Sequence, residues 1–325
     1  MTSNKKLTAV RFVGKYWLAI FVVLVWIVFS ILLPRYFTGT NIISILSGTC
    51  ITALAALGLT SICTAGEIDF SAGTQVSAST VFMGVLLGSK VVDSFWSAAV
   101  LTVAIMLVVG VLNAYMHVKM KIPAFIATMG VSYILKAVCK YISHGGQTMY
   151  RNMNWPKNYT LIGQGRLGGV IPYTIIILIV SAVIMFVFTE RTKWGKYLYA
   201  VGSNRICCDY IGISGDRQKT IGFLLCSFWS ALAGIVMTSQ LNAAGISVGD
   251  TQIESLTVLN LGATFMKQGS YNVGGTLLAS FMLTSLFYGM KMMGAGTWVE
   301  DLVQGIMLAC SVAVVCIIRR RIGKI

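Results

Sequence analysis

The stretch YWLAIFVVLVWIVFSILL (residues 16–33) contains no charged residue and ends at Pro34 and Arg35. About 20 apolar residues in a helix cross the hydrocarbon core of a bilayer, so this run predicts a membrane-spanning helix. The basic residues between Lys5 and Lys15 make this region resemble a signal peptide, but the run has no small-x-small cleavage site at its end. We therefore expect a first span that is retained in the mature protein.

The composition extends this prediction to the whole chain. Of the 325 residues, 56% are hydrophobic and 11% are charged, whereas a soluble domain carries roughly 25% charged residues. Because so few charges cannot cover a soluble surface, we predict an all-α membrane protein with about ten transmembrane helices, some of them broken by glycine-rich segments. One transmembrane domain is expected to cover residues 1–325. The predicted spans are 16–33, 42–63, 71–88, 94–116, 122–141, 170–188, 220–239, 253–265, 273–290 and 300–318.

Basic residues lie in short clusters between these runs, for example from Lys5 to Lys15 and from Arg319 to Lys324. With the N-terminus inside, 17 of the 25 basic residues fall on the cytoplasmic side, which by the positive-inside rule favours both termini inside. Since these clusters account for the net charge of +15, nucleic acid is not expected as a partner. Two long loops are predicted, one outside at 143–169 and one inside at 189–220.

The segment AGEIDFSAG (residues 65–73) places two carboxylates and two glycines between apolar runs. A charge at membrane depth costs a few kcal/mol and usually faces a cavity or the bundle interior. Glycines allow the backbone to unwind there, so that its polar groups can face a ligand. Two interpretations remain open, because Asp69 or Ser71 could cap the third span or take a direct part in transport. Asn113, near the end of another span, is expected to hydrogen-bond between helices.

The inside loop contains a second signal, between Asn204 and Gly212. Asn is a good helix N-cap and Gly a good helix stop, so about two helical turns are predicted there. A helix this short invites either a partner protein or an amphipathic position on the lipid surface.

Two motifs of enzymatic chemistry are absent from the sequence. The chain has no HExxH or Walker A motif, so any energy from ATP must enter through another subunit. Its eight cysteines include no CxxC pair, and with two histidines they offer no obvious metal-ligand set. We predict a protein that is not an enzyme and that binds neither a cofactor nor a metal.

Several motifs together resemble one family, the ABC transporter permeases of the ribose/xylose/galactose type. GEIDFSAG (66–73) resembles the GGIDLSVG signature of that family, and IPAFIATMG (122–130) is similar to IPPFIVTLG. GGQ (145–147) also matches, as does YAVGSN (199–204) followed by a Gly-Ile pair (212–213). The matches occur in order over most of the chain.

The resemblance implies the permease subunit of an ATP-driven importer of a monosaccharide, such as a ribose-like pentose, a hexose or a related polyol, in the bacterial cytoplasmic membrane. The implied partners are a second permease copy or homologous permease, a two-cassette ATPase that hydrolyses ATP, and a periplasmic or lipid-anchored sugar-binding protein. The predicted substrate path comprises Glu67, Asp69, Ser71, Gly73, Gln75, Asn113 and Phe125. The predicted ATPase coupling loop comprises Gly202, Asn204, Arg205, Asp209, Gly212 and Ile213.

The sequence departs from the family pattern in places. Glu67 replaces the second glycine of the signature, and Cys207 to Tyr210 replace a stretch that is typically rich in alanine. An alternative hypothesis is a stand-alone ion-coupled secondary transporter that uses Glu67, Asp69 or Glu254 as a proton or sodium site.

Overall fold

The computed structural model describes residues 2–89, 91–150, 155–247 and 251–321. Lys324 of the C-terminal basic cluster and part of the predicted loop 143–169 lie outside the described residues. The described chain is mainly helical and divides into two compact units. One unit joins the residues up to Thr49 with those from Leu256 onward, and the other is Cys50–Ser255. The prediction of one domain over 1–325 stays a prediction.

The helices and strands follow one another in a simple order along the chain. The helices are α1 (Thr2–Leu32), α2 (Gly39–Thr64), α3 (Ala72–Gly88), α4 (Phe95–Ala114), α5 (Ala124–Ile142), α6 (Leu161–Gln164), α7 (Tyr173–Arg191), α8 (Lys193–Ser203), α9 (Arg205–Tyr210), α10 (Gly215–Leu241), α11 (Gln252–Gly262), α12 (Val273–Met292) and α13 (Thr297–Arg321). A π-helical turn (Tyr115–Lys119) extends α4, and a 3₁₀ turn covers Lys157–Thr160. Four two-residue strands, β1 (Met149–Tyr150), β2 (Arg166–Leu167), β3 (Ile171–Pro172) and β4 (Ala243–Ala244), form the antiparallel pairs β1–β4 and β2–β3.

Each predicted span overlaps one helix, but the helices differ in length. Within the described residues, seven helices are long and apolar enough to cross a membrane: Gly39–Thr64, Phe95–Lys119, Ala124–Ile142, Tyr173–Arg191, Gly215–Leu241, Val273–Met292 and Thr297–Ile317. The apolar parts of α1 (Tyr16–Leu32) and α3 are shorter. Helix α11 has 11 residues and extends about 16 Å, less than the hydrocarbon core of about 30 Å. The count of ten spans and their orientation therefore remain predictions.

The two long loops contain more structure than the sequence predicts. Residues 189–220 were expected to hold one short helix, but α8 precedes that helix and α10 begins within the segment, at Gly215. The side chain of Thr192 caps α8 by accepting a hydrogen bond from the Gly195 N–H at 3.2 Å. The loop 143–169 contains β1, β2, α6 and the 3₁₀ turn in its described part.

Aromatic packing holds the terminal unit together. Trp26 on α1 stacks on Phe281 on α12, with ring centroids 5.6 Å apart. The buried hydroxyl of Tyr36 donates to the carbonyl oxygen of Ser285 at 2.8 Å, so the turn after α1 is fixed to the same helix. This bond also gives the Tyr36 hydroxyl a partner in an apolar environment, where an unpaired hydroxyl group would cost free energy.

Small residues let α10 pack closely within the second unit, against α3 and α4. A Cβ atom added at Gly234 would lie 2.4 Å from the carbonyl oxygen of Val76, and one at Gly58 would lie 2.9 Å from that of Cys226. Glycine at these points permits backbone contact, the usual device of helix packing in membranes. One apolar cluster of this unit contains Met83 and Phe95, and another contains Val81, Met106 and Leu135.

We predict that Gly234→Ala lowers the stability of the protein, because its methyl group would overlap the backbone of α3. Overpacking of this kind costs roughly 1–3 kcal/mol. The matched control is Gly130→Ala in α5, where an added Cβ meets nothing within 4 Å. Thermal unfolding in detergent should show a lower midpoint for Gly234→Ala alone; equal midpoints for the two variants would contradict the packing argument.

Candidate functional site

The segment between α2 and α3 leaves the helix at a glycine in the left-handed conformation. Gly66 has φ +89°, and the N–H groups of Gly66 and Glu67 donate to the carbonyl oxygens of Cys63 (3.1 Å) and Ile62 (3.3 Å). This pair of hydrogen bonds is the Schellman arrangement that ends helices at glycine. Residues 65–71, here called the connector, therefore turn away from α2 at a fixed angle.

The connector carries Asp69 into a fully buried cluster of polar groups. The Asp69 Oδ1 atom accepts hydrogen bonds from the backbone N–H of Ser71 (2.7 Å) and from its hydroxyl (2.6 Å). The Ser71 Oγ atom in turn accepts from the side-chain amides of Asn113 (2.8 Å) and Gln75 (2.9 Å). The Cys226 thiol also hydrogen-bonds to the Asp69 carboxylate. Helices α3, α4 and α10 thus each contribute a group to what we call the Asp69 cluster, and all five residues have no exposed surface.

Further hydrogen bonds join the connector and the start of α3 to α5 and α11. The Phe70 N–H donates to the Thr128 hydroxyl at 3.0 Å. The side chain of Gln252 accepts from the Gly73 N–H at 2.6 Å and donates to the Asp69 carbonyl oxygen at 3.3 Å. The polar backbone groups of this region therefore find partners inside the protein, as groups buried away from water require.

Of the two residues predicted to cap the third span, Asp69 accepts a hydrogen bond from the backbone N–H of Ser71, just before α3, whereas the prediction for Ser71 is wrong. Ser71 occupies the N-cap position of α3, but its side chain makes no capping hydrogen bond. Its hydroxyl is engaged by Asp69, and the helix N–H of Gly73 is satisfied instead by Gln252, which is 179 residues away in the sequence. The hydrogen bonds of Ser71 with Asp69 and of Gly73 with Gln252 thus take the place of a capping bond from the Ser71 side chain.

Glu67 belongs to a separate group of ionisable side chains. Its Oε1 atom lies 2.5 Å from Lys219 Nζ and 3.2 Å from His117 Nε2. Burial raises the pKa of Glu67, but the hydrogen bonds and charges of His117 and Lys219 outweigh that effect and leave the pKa below its usual value. Glu67 is therefore a paired carboxylate and not a free one.

The structure brings together most of the residues predicted for the substrate path. Asp69, Ser71, Gln75 and Asn113 share the Asp69 cluster, and the prediction that Asn113 bonds between helices is confirmed. The remaining members lie around it: Glu67 is in the ionisable group, Gly73 contacts Gln252, and Phe125 lies on the surface with its ring 5.4 Å from that of Phe70. Whether any of them contacts substrate stays a prediction.

Sequence reasoning missed the partners that complete these groups. They are His117, Thr128, Cys226, Lys219 and Gln252. One signal was present, because a carboxylate at membrane depth needs a counter-charge, and the chain has two histidines. A second signal is the π-helical turn that carries His117, because such turns are frequent at functional sites. This turn is seen in the structure and was not predicted from the sequence.

The predicted short helix in the inside loop is confirmed as α9. The Asn204 side chain caps it by accepting from the Cys207 N–H at 3.0 Å, and Gly212 follows it with φ +80°. The Ile213 N–H donates to the carbonyl oxygen of Cys208 at 2.9 Å, which fixes the turn after the helix.

Ion pairs hold α9 against the start of α10. Arg205 Nη2 lies 2.6 Å from Asp216 Oδ1, and Arg205 Nε lies 3.6 Å from Asp209 Oδ2. The Asp209 carboxylate also accepts from the Gly215 N–H at 3.1 Å. On the other side, Gly202 packs so closely that an added Cβ would lie 2.0 Å from the carbonyl oxygen of Thr64. The coupling segment, residues 202–213, is thus attached to both α10 and the end of α2.

The outer face of α9 and its following turn is apolar and exposed. Ile206, Tyr210 and Ile211 are 69%, 87% and 72% exposed, whereas Cys208 points inward and is buried. Three large apolar side chains at the tip of a charged segment form the kind of patch that marks a contact surface for another molecule.

Apolar helices around a buried polar cluster, together with a short ordered helix in a charged segment, are features typical of membrane transport proteins. Comparison with known proteins identifies the family. A family model described as the permease component of the branched-chain amino acid transport system matches residues 41–312. The chain therefore belongs to this family of ABC-type permease subunits, which are multi-pass inner-membrane proteins that leave ATP hydrolysis to separate subunits.

Curated relatives resemble the chain over most of its length. The ribose import permease protein of Escherichia coli (strain K12) is 27% identical and aligns with 94% of this chain and 96% of its own length. The autoinducer 2 import system permease protein of Klebsiella pneumoniae is 25% identical, over 87% and 85% of the two chains. The xylose transport system permease protein of Escherichia coli (strain K12) is 23% identical, over 85% of each chain. No solved structure matches the chain.

We predict that Ser71→Ala destabilises the protein, because it removes the group that accepts from Asn113 and Gln75 and donates to Asp69. Each buried polar group left unsatisfied costs about 1–3 kcal/mol. The matched control is Ser44→Ala, whose exposed hydroxyl donates to the Thr40 carbonyl oxygen within the same helix. The midpoint of thermal unfolding in detergent should fall for Ser71→Ala and hardly change for Ser44→Ala; an unchanged midpoint in both would count against a tightly bonded cluster.

Proposed function

We propose that this chain is the membrane-spanning permease subunit of an ATP-driven importer that carries a monosaccharide across the cytoplasmic membrane. The substrate class is a ribose-like pentose, a hexose or a related polyol. Relatives named for ribose and xylose transport support this class. The relative named for autoinducer 2 import widens it to other small polar solutes.

The Asp69 cluster is the observation that carries the proposal. It concentrates hydrogen-bonding groups at one buried point of an apolar unit, and the Oε1 atom of Gln75 and the Oδ1 atom of Asn113 have no hydrogen-bond partner within the described residues. Unsatisfied acceptors in such a place favour a ligand that brings donors, and the hydroxyl groups of a sugar are donors. Of the other predicted path residues, Glu67 lies in the connector, Gly73 follows it at the start of α3, and Phe125 packs against Phe70 of the connector.

The proposed orientation rests on the positive-inside rule, and the proposed span count rests on the apolar runs of the sequence. We propose ten spans with both termini inside. In this arrangement α1, α3 and α11 also cross the membrane, in addition to the seven helices that are long and apolar enough by themselves. The coupling segment then lies in the cytoplasm, and the loop 143–169 lies outside. Discontinuous or short helices near the membrane centre are a common feature of transporters, which supports the inclusion of α11.

Three partners are proposed for this subunit. A two-cassette ATPase docks on the coupling segment, where the exposed side chains of Ile206, Tyr210 and Ile211 form the contact. A periplasmic or lipid-anchored sugar-binding protein delivers substrate on the other side, and a second copy or a homologous permease completes the pathway. No cofactor is expected on this chain, since ATP is used by the ATPase.

Ion-coupled secondary transport receives no support from the relatives, which are named as import or transport-system permeases. Of the acidic residues that it would require, Glu67 is paired with Lys219, and Glu254 accepts a hydrogen bond from Thr52 at 3.3 Å.

We expect uptake of the sugar to stop when the partner ATPase is inactivated and to continue when an ionophore collapses the ion gradients. Proteoliposomes that contain the complete transporter, with ATP inside and binding protein with labelled sugar outside, provide the measurement. Uptake that survives ATPase inactivation and stops with the ionophore would overturn the proposed function.

We further predict that Gly212→Val uncouples the ATPase from transport, because a β-branched residue at φ +80° strains the turn after α9 by about 1–2 kcal/mol. The ATPase rate stimulated by the binding protein should fall several-fold, with membrane insertion unchanged. Gly168→Val is the matched control, since Gly168 also has positive φ (+61°) and open space but lies in the turn between β2 and β3. Normal stimulation in Gly212→Val would show that α9 is not the coupling element.

A further inference from the structure

Three ionisable side chains from three separate elements meet at one point of the second unit. Glu67 comes from the connector, His117 from the π-helical turn and Lys219 from the first turns of α10. The Glu67–Lys219, Glu67–His117 and Lys219–His117 distances are 2.5, 3.2 and 3.2 Å. Their side chains are 22%, 13% and 9% exposed in the order Glu67, His117, Lys219. We call this group the charge triad.

The hydrogen-bond geometry of His117 makes it a bridge within the triad. Its Nδ1 atom lies 2.9 Å from the carbonyl oxygen of Ile122, which can only accept, so Nδ1 carries a proton. Its Nε2 atom then accepts from Lys219 when the ring is neutral and donates to Glu67 when the ring is charged. The triad therefore keeps a satisfied arrangement in both protonation states of the imidazole.

One end of the triad is continuous with the Asp69 cluster. Glu67 and Asp69 are two residues apart in the connector, whose first turn is fixed by Gly66. A displacement of the connector backbone that carries Glu67 away from Lys219 also moves the backbone that holds Asp69 against Ser71 and Cys226.

The other end is continuous with the coupling segment. Lys219 lies one helical turn after Asp216 on α10, and Asp216 holds Arg205 of α9 at 2.6 Å. A second contact runs parallel to this one, because Gly202 packs on the carbonyl oxygen of Thr64 at the end of α2. A displacement of the coupling segment would therefore reach the connector both through these charged side chains and through the contact of Gly202 with Thr64.

We propose that the charge triad positions the connector and keeps the Asp69 cluster closed in the resting transporter, so that each transport cycle has to separate Glu67 from Lys219. Glu67 and Lys219 are positioning residues in this mechanism, acting through Asp69 and its neighbours. Separation of this largely buried ion pair leaves only the contacts with His117 in the triad, which costs free energy that a coupled movement supplies. The inference rests on the proposed function in assigning that movement to the ATPase.

The native thiol of Cys226 can show whether the Asp69 cluster is closed. It is fully buried and hydrogen-bonded to Asp69 when the cluster is closed, and a reagent reaches it only when the cluster opens. The measurement is the rate of its labelling by N-ethylmaleimide in the assembled resting transporter without nucleotide, resolved from the other cysteines by peptide mass spectrometry. We expect Glu67→Gln to label at least tenfold faster than the unaltered protein, a change equivalent to about 1.4 kcal/mol. The ATPase rate without binding protein should rise in the same variant.

The charge-reversed double variant Glu67→Lys with Lys219→Glu tests whether the ion pair itself keeps the Asp69 cluster closed, or whether any substitution at these positions loosens the protein. It restores an ion pair of opposite sense, so labelling of Cys226 should return to within about threefold of the original rate, whereas Glu67→Lys alone should stay fast. Glu300→Gln is the matched control, because it neutralises a different ion pair, that of Glu300 with Lys291 at 3.4 Å. Its labelling rate should not change.

Either of two results would overturn the proposal. One is an assembled Glu67→Gln transporter whose Cys226 labels at the original rate, and the other is a double variant that remains as fast as Glu67→Lys. If Glu67→Gln fails to assemble, Glu67→Gln combined with Lys219→Met leaves no unpaired charge on either residue; it should assemble and still label at least tenfold faster, and a slow rate would contradict the proposal.

The labelling and ATPase readouts separate this inference from the proposed function. If the chain were not driven by an ATPase, the unaltered protein would show no stimulated ATP hydrolysis, while the effect of Glu67→Gln on labelling would remain. Normal stimulation of ATP hydrolysis in the unaltered protein, together with an unchanged rate of Cys226 labelling in Glu67→Gln, would reject the proposed role of the charge triad and leave the proposed function intact.

Discussion

The connector carries one fully buried carboxylate, one partly buried carboxylate and several backbone polar groups into an apolar unit that shields them from water. Every one of these groups that lacked a protein partner would cost free energy, so the surrounding helices are placed where they supply partners. Asn113, Thr128, Cys226 and Gln252 do so from α4, α5, α10 and α11. The packing of the second unit depends on this requirement, because the helices that satisfy the connector are also those that enclose it.

The same requirement explains why the two carboxylates of the connector behave differently. Asp69 meets uncharged donors and lies within the cluster, whereas Glu67 meets His117 and Lys219 and forms an ion pair. Glu67 is also one of the residues at which the sequence departs from the signature of the family. A carboxylate at that position would be costly by itself, and the charged partners on the π-helical turn and on α10 offset the cost.

The location of α10 links the two functional regions. Its first turns hold the coupling segment through Asp216 and the connector through Lys219, and its middle packs on α3 at Gly234. A single helix therefore touches the surface proposed to receive the ATPase and the cluster proposed to meet the sugar. Close backbone packing makes such a helix move as one body, which suits the transmission of a rigid-body change.

The sequence by itself determined the class of fold, because hydrophobic runs and scarce charges are local properties that lipid selects directly. It also predicted α9 from Asn204 and Gly212, since a cap and a stop act within a few residues. Only the tertiary structure decided the partners of the connector: Gln252 caps α3 from 179 residues away, and Lys219 neutralises Glu67 across 152 residues. Such pairings depend on which helices become neighbours, and hydrophobic periodicity leaves that choice open. The roles of Ser71 and Glu67 were settled by these distant residues.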